Sequence, residues 1–185
     1  MAEKFKKPAE WDKAALEYAR NCNPFCTLYA FDLLTALLPT INAAPSCKIL
    51  DVGCGAGSLA LAYLRLFPGG VDGHHFTATD ISSGMIEQAK EAVNTAKSAN
   101  CKTTFEFRID DGTTLQSVQD QSVDVVVSAF AIFLIPDRDA VLRQVLRVLK
   151  KGGSLGMTAW TGIPNLNVFF AIFIYLFFLQ LTVLF

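Results

Sequence analysis

The sequence lacks an excess of charge of either sign. Sixteen lysines and arginines stand against seventeen aspartates and glutamates, for a formal net charge of −1. A surface that neutralises a run of phosphates must be basic, so this balance gives no electrostatic case for nucleic acid as a partner. Charge of any kind is sparse, at 18 %, against roughly 25 % in an ordinary soluble domain. No charged residue follows Lys151. The opening MAEKFKKPAE lacks the apolar core of a secretory signal. Five cysteines, at 22, 26, 47, 54 and 101, make an odd count without the spacing of a disulfide framework. The expectation is reduced thiols in a cytoplasmic protein. Cys22 and Cys26 have no second Cys/His pair beside them to complete a zinc site, so both read as small buried residues and no metal is expected.

What is present is an alternation of strand and helix patterns in a chain of 185 residues, enough for one domain with a real core. Trp11 to about Leu38 reads as two helices, with apolar faces at Ala14, Ala15, Tyr18 and Ala19 and then at Phe31, Leu33, Leu34, Leu37 and Leu38. Pro39 and 42–45 close that region. Strands are expected at Lys48–Val52, Phe76–Thr79 running into Asp80, Thr104–Ile109, Val123–Ala129 and Ser154–Trp160. Helices fall between them. The first runs over Leu59–Phe67. The next is capped by Ser82 or Ser83, with Met85, Ala89, Ala92, Val93 and Ala96 inward. The third spans Asp137–Lys150, with Ala140, Val141, Val145, Leu146 and Leu149 inward and a left-handed Gly152 or Gly153 at its end. Such alternation predicts an α/β fold with a doubly wound, Rossmann-like and mostly parallel sheet. The expected organisation is a helical cap over 1–45, a core over 46–162 and a hydrophobic tail over 163–185.

Three marks fall at the carboxyl ends of the expected strands, where open α/β sheets bind ligands. The first is Asp51-Val52-Gly53-Cys54-Gly55-Ala56-Gly57. Its D-x-G-x-G-x-G spacing differs from the G-x-G-x-x-G dinucleotide fingerprint. Free amides of the following helix face the same crevice. By itself the loop is equally an ordinary strand–helix turn, with Cys54 as a small filler. The second is Asp80, placed to accept both hydroxyls of a ribose across the strand ends. Alone it reads as an acid favouring the dipole of the next helix. The third is Asp110-Asp111-Gly112, an ordinary Asp-Gly turn or a carboxylate and N–H set against an adenine edge.

In this order, the marks carry a resemblance. The stretches KILDVGCGAGSLALAYL, FTATDISSGMIEQAKEA, FRIDDGTTL and SVDVVVSAFAIFLIPDRDAVLRQVLRVLKKGGSLGMTAW resemble the class I S-adenosylmethionine-dependent methyltransferases, in the small-molecule branch that includes the ubiquinone-biosynthesis type. They span about residues 47–160. The resemblance implies S-adenosyl-L-methionine as cofactor and a small organic acceptor. It implies that Gly53, Cys54, Gly55, Ala56 and Gly57 wrap the methionine part, while Asp51 orders that loop or meets the cofactor's amino group. Asp80 would hold the ribose hydroxyls, Ile81 and Met85 would pack on the adenine, and Asp111 and Gly112 would read its edge. Ser128, Ala129 and Phe130 would sit near the sulfonium and the acceptor. Nucleic-acid amino-methylating members carry an Asn/Asp-Pro-Pro-aromatic motif at that last position. Here it is Ser128-Ala129-Phe130-Ala131, which argues against bases as substrates. No catalytic base stands out. His74 and His75 precede the second strand, at the opposite edge, and read as solvated turn residues. Tyr18 and Trp11 read as packing aromatics that could also close over the cofactor.

The family's sheet continues past its fifth strand, whereas only TGIPNLNVFFAIFIYLFFLQLTVLF follows Trp160. Three readings of this tail are open. The resemblance stops abruptly after a normal fifth strand, so a truncated or replaced end is placed first. Membrane association through 166–185 is placed second, since 18 helical residues span about 27 Å. A cover for the open sheet edge is placed last.

Overall fold

A computed structural model of the chain describes residues 7–159 and the strand 177–180. The order is α1 (Pro8–Asn21), α2 (Asn23–Ala43), β1 (Lys48–Val52), α3 (Ser58–Leu66), β2 (His75–Asp80), α4 (Ser83–Ala96), β3 (Thr104–Ile109), β4 (Val123–Ala129), a single 3-10 turn (Ile132–Leu134), α5 (Arg138–Val148), β5 (Leu149–Thr158) and β6 (Phe177–Gln180). The sheet runs β3-β2-β1-β4-β5-β6. The first five strands are parallel, and β6 is antiparallel to β5. The chain winds outward from β1 through β2 to β3, then crosses back to β4. The crevice at the carboxyl ends of β1 and β4 is therefore the switch point.

Both faces of the sheet are buried, as the nearly unbroken apolar run of β4 demands. One core gathers Leu33, Leu34 and Leu37 of α2, with α3 and α4, onto Ile49, Val125 and Val127. The other sets Val141, Val145 and Val148 of α5 against Leu50, Val52 and Val126. Each such side chain contributes about 1.5–3 kcal/mol by leaving water. A Cβ on Gly156 of β5 would lie 2.6 Å from Cδ1 of Leu37, so a glycine lets α2 sit on the strand. α2 is long and apolar enough to cross a membrane by length and composition. Its buried side packs on the sheet.

Several expectations need correcting. Helix α2 runs through Pro39 to Ala43. Pro39 faces solvent, where water can take the orphaned carbonyl, and the apolar face continues to buried Ile41. Helix α5 ends at Val148, and Leu149–Lys151 are strand. Leu149 pairs with Val123 and Ser154 with Val125, so Lys150–Gly153 form a bulge there. Gly152 is left-handed at φ +80° within it, and Lys150 reaches Asp124 at 2.7 Å. Leu146 is exposed and Val148 takes the inward position. Ala96 is exposed in the last turn of α4. Cys22 is exposed, unlike Cys26, and all five cysteines are free. His74 is buried: its Nδ1 pairs with the Tyr63 hydroxyl at 2.9 Å, which in turn meets Thr103 Oγ1 at 3.0 Å. Burial of the ring lowers its pKa. The edge of β5 is paired, because 177–180 lie antiparallel to Ser154–Met157. That is the edge-cover arrangement, the one placed last. Trp160 and the rest of the tail lie outside the described residues.

Candidate active site

The glycine loop is built by main-chain bonds to the end of β2. The N–H groups of Gly53 and Cys54 both donate to the Thr79 carbonyl at 2.9 Å. That of Gly55 donates to Oδ2 of Asp80 at 2.9 Å. Gly53, Gly55 and Gly57 all hold left-handed φ angles, +72°, +52° and +88°. A side chain pays for that conformation at each. Space is also short. A Cβ on Gly53 would lie 2.4 Å from the Cβ of Ala131, and one on Gly57 would lie 3.1 Å from the Ala89 Cα of α4. Gly57 caps α3, so the first N–H groups of that helix point out of the loop.

Asp51, near the end of β1, has no exposed surface, and neither carboxylate oxygen has a hydrogen-bond partner. Burial drives its pKa well up, and the charge of Asp80 adds to this. A buried carboxylate with nothing to bond is costly unless a cation or donor completes it. Asp80 carries both ties of its corner: Oδ2 takes Gly55 N–H, and Oδ1 takes Ser82 N–H at 2.9 Å. Burial raises its pKa, and those N–H bonds oppose the rise. Each oxygen keeps a second lone pair for a hydroxyl.

Past β3, Asp111 Oδ1 accepts from the N–H and hydroxyl of Thr113, both at 2.8 Å. Asp110 turns the other way and accepts Gln116 and Ser117 N–H groups. Gly112 lies flat against Val52 and Ile135, with 3.2 Å between its hypothetical Cβ and Val52 Cγ1. At the end of β4, Ser128 donates to the Val52 carbonyl at 2.8 Å. Ala129 and Phe130 are buried, and Phe130 is left-handed at φ +56°. Its ring stacks edge-on against Tyr29 at 5.8 Å. A bulky residue in that region stores about 1–3 kcal/mol of strain, and such outliers cluster at functional sites.

The structure thus brings Asp51, Gly53, Cys54, Gly55, Ala56, Gly57, Asp80, Asp111, Gly112, Ser128, Ala129 and Phe130 to one edge of the sheet. Ile81 joins them with 40 % of its surface exposed. Met85 points inward and is only 2 % exposed, so Ile81 alone of that pair offers an apolar face. Three contributors were not foreseen. Asn23 donates to the Ala56 carbonyl at 3.1 Å. Asp12 of α1 binds Ser82, Ser83 and Gly84 at the start of α4. Thr79 takes both loop N–H groups on its carbonyl and donates its hydroxyl to the Asp51 carbonyl at 2.9 Å. Tyr18 lies over the loop, its ring 3.4 Å from a hypothetical Gly55 Cβ, with its hydroxyl 3.5 Å from Cys26 Sγ. Among the described residues no cluster of three metal-ligating side chains occurs. Two open grooves, of about 430 and 690 Å³, lie on the flanks of α4 and contain none of the three acids. Helix α1 lies over the glycine loop and the start of α4 instead.

A family model described as "Methyltransferase domain" matches residues 50–157, more than half of the chain. An uncharacterised protein of Mycobacterium tuberculosis is 26 % identical over 138 residues, 72 % of this chain and 46 % of that protein. Phosphoethanolamine N-methyltransferase 1 of Zea mays is 32 % identical over 125 residues, 68 % of this chain and 23 % of that enzyme. The chain thus spans about half the length or less of these relatives. Among solved structures, an S-adenosylmethionine-dependent methyltransferase fold from Methanococcus maripaludis aligns with a TM-score of 0.63 at 19 % identity, over 80 % of this chain and 64 % of that one. Phosphoethanolamine N-methyltransferase 2 of Haemonchus contortus, with phosphomonomethylethanolamine and S-adenosylhomocysteine, aligns at 0.56 and 26 % identity, over 74 % and 30 %. With a methyltransferase family model over more than half of its length and this parallel sheet, the chain belongs to the class I S-adenosylmethionine-dependent methyltransferases.

Proposed function

We propose that this chain binds S-adenosylmethionine at the carboxyl edge of β1, β2 and β3 and directs its methyl group to a small organic acceptor. The observation that carries the reading is Asp51, whose two unpartnered buried oxygens call for a cationic donor such as the cofactor's ammonium group. The remaining residues fit the same group. Asp80 offers free lone pairs to a ribose, Asp111 and Gly112 a carboxylate and an N–H to a purine edge, and Ile81 an apolar face.

When bound, the cofactor supplies an electrophilic methyl group on a sulfonium, already a good leaving group. What remains for the protein is placement. Holding a nucleophile within about 3–3.5 Å in line can supply much of the acceleration. The segment from the end of β4, Ser128–Pro136, contains no titratable side chain. An acceptor meeting it must bring its nucleophile already deprotonated or draw on a base elsewhere. Neutral amines satisfy this, and the two phosphoethanolamine enzymes among the relatives supply one such class.

The test is calorimetric titration of the chain with S-adenosylmethionine beside Asp80→Ala and Asp51→Asn, then label transfer to a panel of amines, phosphobases and phenols. Saturable binding weakened by both variants supports the cofactor edge, and label transfer supports the activity. No binding by a folded chain removes the reading. Binding with no acceptor labelled would leave a cofactor-binding module.

A further inference from the structure

We infer that Arg147, on α5 and outside every motif at the strand ends, is a positioning residue for purine recognition. The inference rests on the proposed reading of Asp111 and Gly112. The loop from Asp110 to Ser122 joins β3 to β4 and begins with those two residues. It has no helix or strand of its own to hold it. Arg147 holds it instead. Its Nη2 donates to the carbonyls of Leu115 at 2.9 Å and Thr114 at 3.4 Å. Its Nη1 donates to the Val118 carbonyl at 3.0 Å and to Asp120. Its Nε donates to Gln144 at 2.6 Å, which fixes the plane of the guanidinium. Its own carbonyl takes the N–H of Gln121 at 2.9 Å, so the far end of the loop is tied to the same residue.

The link to the purine edge is short. The Asp111 carbonyl accepts the N–H groups of Thr114 at 3.0 Å and Leu115 at 2.8 Å. The carbonyls of those same two residues accept from Arg147 Nη2. Leu115 is fully buried and left-handed, with φ +40°. A non-glycine residue keeps that conformation only where its surroundings impose it. Gln121, at φ +47°, is the second such position in the loop. One guanidinium therefore sets where Asp111 stands, through two peptide units. No other side chain has this fan of donors, and lysine, a point charge with three, cannot reproduce its planar spread. The N–H of Gly112 has no acceptor among the described residues, which leaves it for a ligand.

A purely structural clamp and a positioning clamp differ in what they do to selectivity. Adenine offers a donor amino group to the Asp111 carboxylate. Its 6-oxo counterpart offers an acceptor, which the carboxylate rejects. The experiment measures binding of S-adenosylhomocysteine and S-inosylhomocysteine to the full chain, Arg147→Lys, Arg147→Ala and Arg143→Ala. Arg143 lies on the same helix, is solvent-exposed and pairs only loosely with Asp137 at 4.0 Å. The parent chain should prefer the adenine form by tenfold or more, the worth of one charged hydrogen bond. Arg147→Lys should narrow that ratio at least fivefold, chiefly by weakening the adenine form, while Arg143→Ala leaves it unchanged. Amide exchange at Val118, Gln121 and Ser122 should quicken in ligand-free Arg147→Lys. Should Arg147→Ala fail to fold, Arg147→Lys and Asp120→Asn carry the test. Equal weakening of both ligands, with the ratio kept, would overturn the inference and leave Arg147 a stabilising residue. A parent chain that binds adenine and hypoxanthine forms alike would overturn the reading of Asp111 itself, and a folded parent that binds neither would remove the cofactor site.

Discussion

The carboxylate of Asp80 closes the glycine loop: its Oδ2 accepts the N–H of Gly55 at 2.9 Å, across 25 positions of sequence. The same side chain ties Ser82 through Oδ1, so one residue sets both the loop after β1 and the entry to α4. A hydrogen bond to a charged group contributes about 1.5–3 kcal/mol, and burying the charge takes part of that back. Asp80→Ala should therefore cost about 1–3 kcal/mol of stability and lower S-adenosylmethionine affinity at least tenfold. Asp80→Asn should behave similarly, since its amide NH2 faces one of the two donors. Thermal melts with calorimetry decide this; unchanged affinity in a folded Asp80→Ala would remove Asp80 from the site.

Gly53 combines strain with crowding. Alanine there must hold φ +72° and bring its methyl to 2.4 Å from Ala131. The left-handed backbone alone costs about 1–2 kcal/mol, and the clash falls on the segment that follows β4. Gly53→Ala should lower the melting temperature by several degrees, about 4–8 °C per kcal/mol in a small domain and less in a larger one. It should also weaken the cofactor. Gly69→Ala is the control: its added Cβ meets nothing within 4 Å. It should be neutral or slightly stabilising. Equal melting of the two variants would show that the loop yields more easily than its geometry implies.

The sheet was legible because its signals are local. VDVVVSA is apolar nearly throughout and was readable as a doubly buried strand, and the parallel strands fell within a residue or two of expectation except where β5 begins. That start failed because a helix ending in Leu149-Lys150 looks the same in sequence as one ending at Val148. Only pairing of Leu149 with Val123 separates them. His74 failed for a similar reason, since its partner Tyr63 comes from another element. The strand-end acids were legible by residue type and place. Their partners were not: Thr79 ties β2 to the glycine loop through its carbonyl and to the Asp51 main chain through its hydroxyl, and Asp12 reaches Ser82 across 70 positions. The tail's high content of aromatic and β-branched residues suits strand and helix alike. Its placement against β5 answers to the unpaired N–H and C=O groups of an edge, a demand made by the sheet rather than written in the tail.

Asp12 is the hold that keeps α1 over the site. Its Oδ1 accepts from Ser82 Oγ at 2.6 Å, Ser83 Oγ at 3.3 Å and Gly84 N–H at 2.9 Å. These bonds, that of the Ser82 hydroxyl first, lower its pKa. The sign follows: a depressed carboxylate pKa gives a contribution present above the ordinary value and lost as pH falls through the lowered one. Asp12→Ala should speed amide exchange over Pro8–Asn21 and leave Arg138–Val148 unchanged. The wild-type chain should show the same loosening of α1 at acid pH. Unaltered exchange in Asp12→Ala would mean that packing of Ala15 and Tyr18 alone holds the helix.

Asp51 gives the opposite pH dependence. Its pKa is raised by burial first and by Asp80 second. The ligand-free fold therefore favours the protonated acid, and the stability this confers is complete at low pH and lost as pH rises through the raised value. Asp51→Asn should remove that decline and raise the melting temperature of the ligand-free chain at neutral pH, while weakening the cofactor. A cationic ammonium beside Asp51 favours its ionised form, so binding should expel a proton wherever the free chain still carries one. Calorimetry in two buffers of different ionisation enthalpy reads this directly. Binding heats of the wild type should differ between the buffers, and those of Asp51→Asn should not. A wild-type heat that is the same in both, over the pH range in which the ligand-free chain loses stability, would show that Asp51 does not meet the cofactor's charge, and the role of that carboxylate would be confined to ordering the glycine loop.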